Sequence, residues 1–265
     1  AAILGLVEGL TEFLPVSSSA HLVITQNLFG FKEPQLLLDI VLHLGTLAAV
    51  ALFLWKEIVD IAAGTVQGCA AIVKREPKPL EKNPAFFTGL CVIIATVPTG
   101  LMGVFFKDTF EAMFGSVTMV GFFLLVTGCV LFATKFVKPV SGKKLTVADA
   151  LIVGVAQGIA ICPGISRSGM TITAAILRRL DPVFAAKFSF LLSIPSILGA
   201  ALLHVKDLNG VPLEGFGYLA VGFLSSAISG YVSLVILVRM VKNFKLYLFS
   251  WYCWAVGIAV IMFAR

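Results

Sequence analysis

Residues 1–29, AAILGLVEGLTEFLPVSSSAHLVITQNLF, decide how this chain is read: they are apolar enough for a membrane, yet Pro15-Val16-Ser17-Ser18-Ser19 interrupts them. Proline lacks an amide hydrogen and disfavours helical geometry at the residue before it, while the serines that follow suit a helix start. The arms on either side hold about 10 to 15 residues, roughly 15 to 22 Å of helix at 1.5 Å per residue. Crossing a hydrocarbon core of ~30 Å takes about 20 residues. The stretch therefore predicts a re-entrant hairpin of two half-helices with its polar tip near mid-membrane. Residues 148–178, ADALIVGVAQGIAICPGISRSGMTITAAILR, read the same way, broken by Pro163-Gly164-Ile165-Ser166-Arg167-Ser168-Gly169.

Sliding the chain by 149 positions sets Gly5 on Gly154, Glu8 on Gln157, Gly9 on Gly158, Ser17 on Ser166, Ser19 on Ser168 and Ala20 on Gly169. Three uninterrupted apolar runs follow each hairpin: 36–55, 84–106 and 116–137, then 183–204, 216–238 and 247–264. The expected fold is an all-α polytopic membrane protein, with about six transmembrane helices plus two re-entrant helical hairpins. One integral membrane domain, 1–265, would comprise repeat one at 1–140 and repeat two at 147–265. A hairpin returns to the face it entered and three spans do not, so the second repeat would be inverted, as in many transporters. Residues 58–73 are apolar but short and interrupted by Asp60 and Gln67, and are expected as an amphipathic or surface helix.

Composition agrees with a membrane solvent. Of 265 residues, 59% are hydrophobic and only 13% charged, and the mean hydropathy is +1.02. A soluble domain carries about 25% charged residues. The net charge of +6 does not point to nucleic acid, because the basic residues sit between apolar runs. Fourteen Lys and Arg fall on one side of the expected layout, against Lys32, Lys107, Lys206 and Arg265 on the other. The positive-inside rule then makes the basic side cytoplasmic and puts both termini outside. The five cysteines lie in apolar stretches without metal spacing. Lys187 is expected to snorkel to the cytoplasmic face.

Charged groups at mid-membrane cost about 2.5–3.5 kcal/mol on insertion scales, so each asks for a reason. Glu8 and Glu12 are four apart, on one helical face about 5–6 Å from each other. Such a pair repels unless a cation or proton lies between its members, and hard oxygen ligands suit Mg2+ or Ca2+. The alternative is that both carboxylates reach solvent. Arg167, flanked by Ser166 and Ser168, matches phosphate oxygens, aided by amides at the helix starts expected near Ala20 and Met170. A structural pairing of Arg167 with Glu8 or Glu12 is compatible with that. Ser17, Ser18, Ser19 and His21 complete the set, and a neutral His21 serves as base or nucleophile, or as a structural residue. Asp39 and His43, also four apart at the start of the run 36–55, could join the site but are expected as a pair at headgroup level. A metal, a carboxylate pair, an arginine, serine and histidine in a lipid-bounded cavity fit phosphoryl chemistry on an amphiphile.

The segments Glu8-Gly-Leu-Thr-Glu12-Phe-Leu-Pro-Val-Ser-Ser-Ser-Ala-His21 and Pro163-Gly-Ile-Ser-Arg167-Ser-Gly169 closely resemble the two signatures of bacterial undecaprenyl pyrophosphate phosphatases of the bacitracin-resistance type. Ser19-Ala20 departs mildly from a Thr-Gly alternative. The resemblance implies hydrolysis of undecaprenyl diphosphate to the monophosphate and phosphate, recycling a carrier for cell-wall polymers. It implies an inverted repeat with re-entrant helices, a divalent cation, and a site facing the outer side of a bacterial plasma membrane. It assigns Glu8 and Glu12 to the acidic motif, Ser18 and His21 to catalysis, and Arg167 to diphosphate binding, and leaves open whether serine, histidine or water attacks. The partners expected are the lipid diphosphate and membrane lipids, with room for a homodimer. A lipid-phosphate carrier using the same residues is the other class of reading. The phosphatidate and acid phosphatase superfamily is disfavoured, because Thr173 stands where its pattern needs histidine.

Overall fold

The computed structural model describes residues 1–31, 35–76, 78–137, 143–204 and 216–263. Regular structure among them is helical throughout. In chain order the helices are α1 (Ala2–Phe13), α2 (Ser18–Leu28), α3 (Leu36–Phe53), α4 (Trp55–Val73), α5 (Pro79–Lys82), α6 (Pro84–Phe105), α7 (Lys107–Phe114), α8 (Val117–Ala133), α9 (Val147–Ile159), α10 (Arg167–Leu177), α11 (Pro182–His204), α12 (Phe216–Lys242) and α13 (Leu248–Phe263). A 3-10 turn, Thr134–Phe136, prolongs α8.

Five of the six expected spans are helices long and apolar enough to cross a membrane: α3, α6, α8 with its terminal turn, α11 and α12. The sixth run is helical over 16 described residues, α13, which follows a turn at Phe244, whose φ is 54°. Large apolar side chains are exposed along the outside, among them Leu52, Val104, Leu202 and Tyr231, as a lipid-facing surface requires. The stretch expected as a surface helix lies in α4, which is not among the five. Its buried residues are Gly64 and Gly68, which lie against the start of α6. Lys187, near the start of α11, donates to Glu57 of α4 at 2.5 Å.

Both interrupted regions are pairs of short helices, of 12 and 11 residues and of 13 and 11 residues. At 1.5 Å per residue each arm is about 16 to 20 Å long, too short to cross. α1 ends where Leu14, preceding proline, turns extended with ψ 142°. α2 then starts at Ser18 and α10 at Arg167, two or three residues earlier than the sequence suggested, because Ser17 and Ser166 take the capping position. The mouth of the second hairpin is closed by a buried Asp149. Its carboxylate completes a capping box with Thr146 and accepts from Lys143 at 2.7 Å and Arg178 Nε at 2.7 Å. Lys143 also donates to the Arg178 carbonyl, tying the start of α9 to the end of α10.

The halves exchange partners. α1 lies along α12, and α9, at the matching place 149 positions on, lies along α6. α8 packs on α13 and α3 on α11, the two pairs that such a relation maps onto themselves. Small residues make the exchanged seams. Gly5 and Gly9 press on Gly222, Ser225, Ser226 and Ser229, and the Ser233 hydroxyl donates to the Gly9 carbonyl at 2.9 Å. Gly154 meets the Ala95 backbone, and Thr99 donates to the Gly154 carbonyl at 3.0 Å. With lipid as apolar as leucine, such seams hold by close packing and interhelical hydrogen bonds. The main core draws on both halves of the chain, and in it Phe13 of α1 meets Phe190 of α11 edge-on at 5.7 Å.

A Cβ on Gly154 would overlap the Ala95 backbone, which cannot swing away, whereas nothing lies within 4 Å of one on Gly100 or Gly199. Gly154→Ala is expected to cost about 1–3 kcal/mol, read as a lower unfolding midpoint in detergent. G100A and G199A should unfold at or above the parent midpoint. An unchanged midpoint in G154A would refute the close-packed seam.

Candidate active site

Glu12 stands where the two hairpins meet. It lies at the end of α1, 8% exposed, and its two oxygens are taken by the first residues of the two second arms. The Ser18 hydroxyl, at the start of α2, donates to Oε2, and the Arg167 guanidinium, at the start of α10, donates to Oε1. Ser18 and Arg167 are counterparts under the 149-residue offset. Arg167 is thus the first helical residue behind its tip, and both helix N-termini present their amide ends beside one carboxylate. The second guanidinium nitrogen, Nη1, is buried without a hydrogen-bond partner.

The remaining serines shape the tips. Ser17 Oγ accepts from the Ala20 amide at 3.4 Å and lies 3.1 Å from Ser19 Oγ. Ser166 Oγ accepts from the Gly169 amide at 3.1 Å and lies 3.2 Å from Ser168 Oγ. Ser17 holds φ at 69°, a conformation costing an L residue about 1–3 kcal/mol and commonest at functional sites. Ser168 donates across to the Leu14 carbonyl at 3.3 Å, fastening one tip to the other. Thr127 of α8 accepts from the Ser166 amide at 3.0 Å and donates to the Gly164 carbonyl at 2.9 Å.

Glu8, one turn before Glu12, is fully buried, and neither of its oxygens has a hydrogen bond. Its nearest basic neighbour is the imidazole of His43 of α3, with Nε2 3.3 Å from Oε1. This corrects the expectation of an Asp39–His43 pair at headgroup level. The Asp39 carboxylate accepts from Gln26 at 2.7 Å, and only its backbone carbonyl meets His43, at Nδ1, 2.8 Å. Because α3 packs beside α1, the face carrying His43 turns inward toward Glu8. A buried carboxylate with two unpaired oxygens is strongly unfavourable unless a cation or a proton completes it. Glu8 and Glu12 therefore fit the carboxylate arm of a divalent-cation site.

His21 is not hydrogen-bonded to Ser18, whose proton goes to Glu12. Its Nδ1 lies 2.8 Å from the Ser17 carbonyl, which can only accept, so Nδ1 carries the hydrogen. Nε2 is then an acceptor for the Tyr252 hydroxyl at 2.8 Å, with the two rings stacked at 5.7 Å and 11°. Sequence reasoning missed Tyr252, Thr127 and Gln26. The only signal for the first was a hydroxyl-bearing ring inside an apolar run.

Comparison with known proteins gives one family. The pattern of the family described as bacitracin resistance protein BacA matches residues 1–259. A protein of Methanosphaera stadtmanae called undecaprenyl-diphosphatase is 41% identical over 270 residues, covering 99% of this chain and 96% of its own. Proteins of the same name from Carboxydothermus hydrogenoformans and Alkaliphilus metalliredigens are 44% and 43% identical, over 99% and 100% of this chain and 95% and 98% of theirs.

Removing one member of a buried charge pair strands the other, at about 3–5 kcal/mol. Glu12→Ala and Arg167→Ala should each lower the unfolding midpoint in detergent, and E12A/R167A should lose clearly less than their sum. Strictly additive losses would rule out the pair.

Proposed function

This chain belongs to the bacitracin resistance protein BacA family, and we propose on that premise that it works as an undecaprenyl-diphosphatase of a membrane. It hydrolyses undecaprenyl diphosphate to undecaprenyl phosphate and inorganic phosphate, which recycles the lipid carrier for cell-wall synthesis and confers bacitracin resistance. The observation that carries the site assignment is Glu12 with Ser18 on one oxygen and Arg167 on the other.

In this reading Arg167, through the unpaired Nη1, and the amide ends of α2 and α10 bind the diphosphate oxygens. Ser17, Ser19, Ser166 and Ser168 hold the two tips in the conformation that aims those amides. Glu12 accepts the Ser18 proton as Ser18 Oγ bonds to the distal phosphorus. The bridging P–O bond breaks, and undecaprenyl phosphate leaves. Water, deprotonated by a neighbouring base, then attacks the phosphoserine, releasing inorganic phosphate and restoring Ser18. A divalent cation such as Mg2+ or Ca2+, held by Glu8 and Glu12, supplies charge neutralisation on the diphosphate. His21, with its free electron pair at Nε2, is the competing nucleophile, but that pair faces Tyr252. The reciprocal packing of α1 with α12 and α9 with α6 supports two inverted repeats whose hairpins enter from opposite faces. The excess of Lys and Arg on one side supports the start of α1 and the end of α13 lying outside a plasma membrane, with the site opening outward.

Purified protein in detergent, with Mg2+ or Ca2+, should release phosphate from a C55 isoprenyl diphosphate, since hydrolysis needs no compartments and transport does. Chelation should abolish release. Arg167→Ala and Glu12→Ala should each cut it about 10²–10³-fold, the cost of losing a preorganised electrostatic contact. No release with either ion would overturn the enzyme reading. A pre-steady-state burst that survives Ser18→Ala would exclude Ser18 as the attacking group.

A further inference from the structure

We infer that His43 is a nitrogen ligand to the cation held by Glu8 and Glu12, making the centre a mixed imidazole–carboxylate site rather than an all-oxygen one. This rests on the reading of the pocket as a metal-assisted diphosphatase and adds a ligand and a metal preference to it. One ligand atom each from Glu8, Glu12 and His43 lie within 4.8 Å of one another. Two ligands of a single ion at about 2.0–2.2 Å stand about 3 Å apart, and His43 Nε2 is 3.3 Å from Glu8 Oε1.

The imidazole is held as a metal-binding histidine is held. The Asp39 carbonyl accepts from Nδ1 at 2.8 Å, which puts the hydrogen there and directs the electron pair at Nε2 toward Glu8. Gln26 in turn fixes Asp39 through its carboxylate at 2.7 Å. A nitrogen electron pair facing a carboxylate oxygen at 3.3 Å needs a proton or a cation between them, and the third ligand atom beside them, a carboxylate oxygen of Glu12, favours the cation. Both Glu8 oxygens are buried and without a hydrogen bond, so the carboxylate is open to that cation.

The repeat supplies an internal control. At the same offset, Glu8, Glu12 and His43 become Gln157, Ile161 and Leu192, so all three ligand atoms vanish together in the second half. There the Gln157 amide donates to Thr99 at 3.1 Å and Ser196 at 3.0 Å; its Oε1 is also unpartnered, but it carries no charge to be balanced. The histidine belongs with the two carboxylates as one set.

A nitrogen ligand changes which ion the site favours. Among transition ions Mn2+ gains least from an imidazole and accepts oxygen ligands as well, whereas Ca2+ prefers oxygen throughout. Mn2+ should therefore bind the full-length protein more tightly than Ca2+. His43→Gln should weaken Mn2+ by at least about tenfold and Ca2+ by less.

The deciding measurement is pulsed electron paramagnetic resonance of Mn2+ added to the purified full-length protein in detergent. A nitrogen-14 modulation is expected, replaced by nitrogen-15 when only histidine is labelled, which needs no substitution. It should persist in His21→Gln and vanish in His43→Gln. Bound Mn2+ without a histidine signal, no bound Mn2+, or a signal surviving H43Q would each overturn the inference. Phosphate release from the same wild-type sample separates the two readings. Turnover without a histidine signal removes His43 and leaves the diphosphatase standing, and a histidine signal without turnover under any added cation does the reverse.

Discussion

A carboxylate deep in an apolar protein must be paired, and Glu12 is paired twice, once from each half of the chain. This requirement organises much of what surrounds it. Ser18 and Arg167 reach Glu12 only because each opens a helix directly behind a broken tip, with Ser17 and Ser166 as caps. The tips in turn can end inside the molecule only because their freed amides and carbonyls find partners there: Ser17, Ser166, Thr127, and the Ser168 bond across to Leu14. Where lipid offers no hydrogen bonds, irregular backbone survives only with such internal satisfaction.

Bringing two polar fingers together demands that their outer arms sink deep into the bundle. Glycine and serine allow it. Gly5 and Gly9 on α1, and Gly154 and Gly158 on α9, let each arm lie against a long helix of the other half at a separation no larger side chain would permit. Phe13, the residue after Glu12, packs edge-on against Phe190 in the core beside it. Charge, hydroxyl and small-residue packing are three parts of one solution.

The outline of this fold was legible because membrane thickness is a hard ruler. A proline and serines placed in the middle of residues 1–29 leave two arms that cannot span, and the same holds for residues 148–178. The 149-residue register paired Gly5 with Gly154 and Gly9 with Gly158, the positions that line the seams. Helix starts were misplaced by two or three residues, since either serine in a run can cap. Glu12, Ser18 and Arg167, picked out by polarity, lie together, while His21 turns to Tyr252 instead of Ser18. His43 was set at the headgroups because hydropathy gives depth along a helix and not the direction a face points. That direction depends on α3 leaning against α1, a tertiary fact with no local signature.

The exchange of partners also governs the order in which the molecule can be completed. α1 leaves the ribosome well before the helix it rests on: Ser233, which holds the Gly9 carbonyl, lies 224 positions downstream. Until α12 emerges, the opening hairpin carries an unmatched glycine face and an unneutralised acid, Glu12, whose arginine is itself still 155 positions away. The early segment must therefore wait, shallow or loosely inserted, for the late one to arrive. The pocket can therefore close only once α10 and α12 have both emerged.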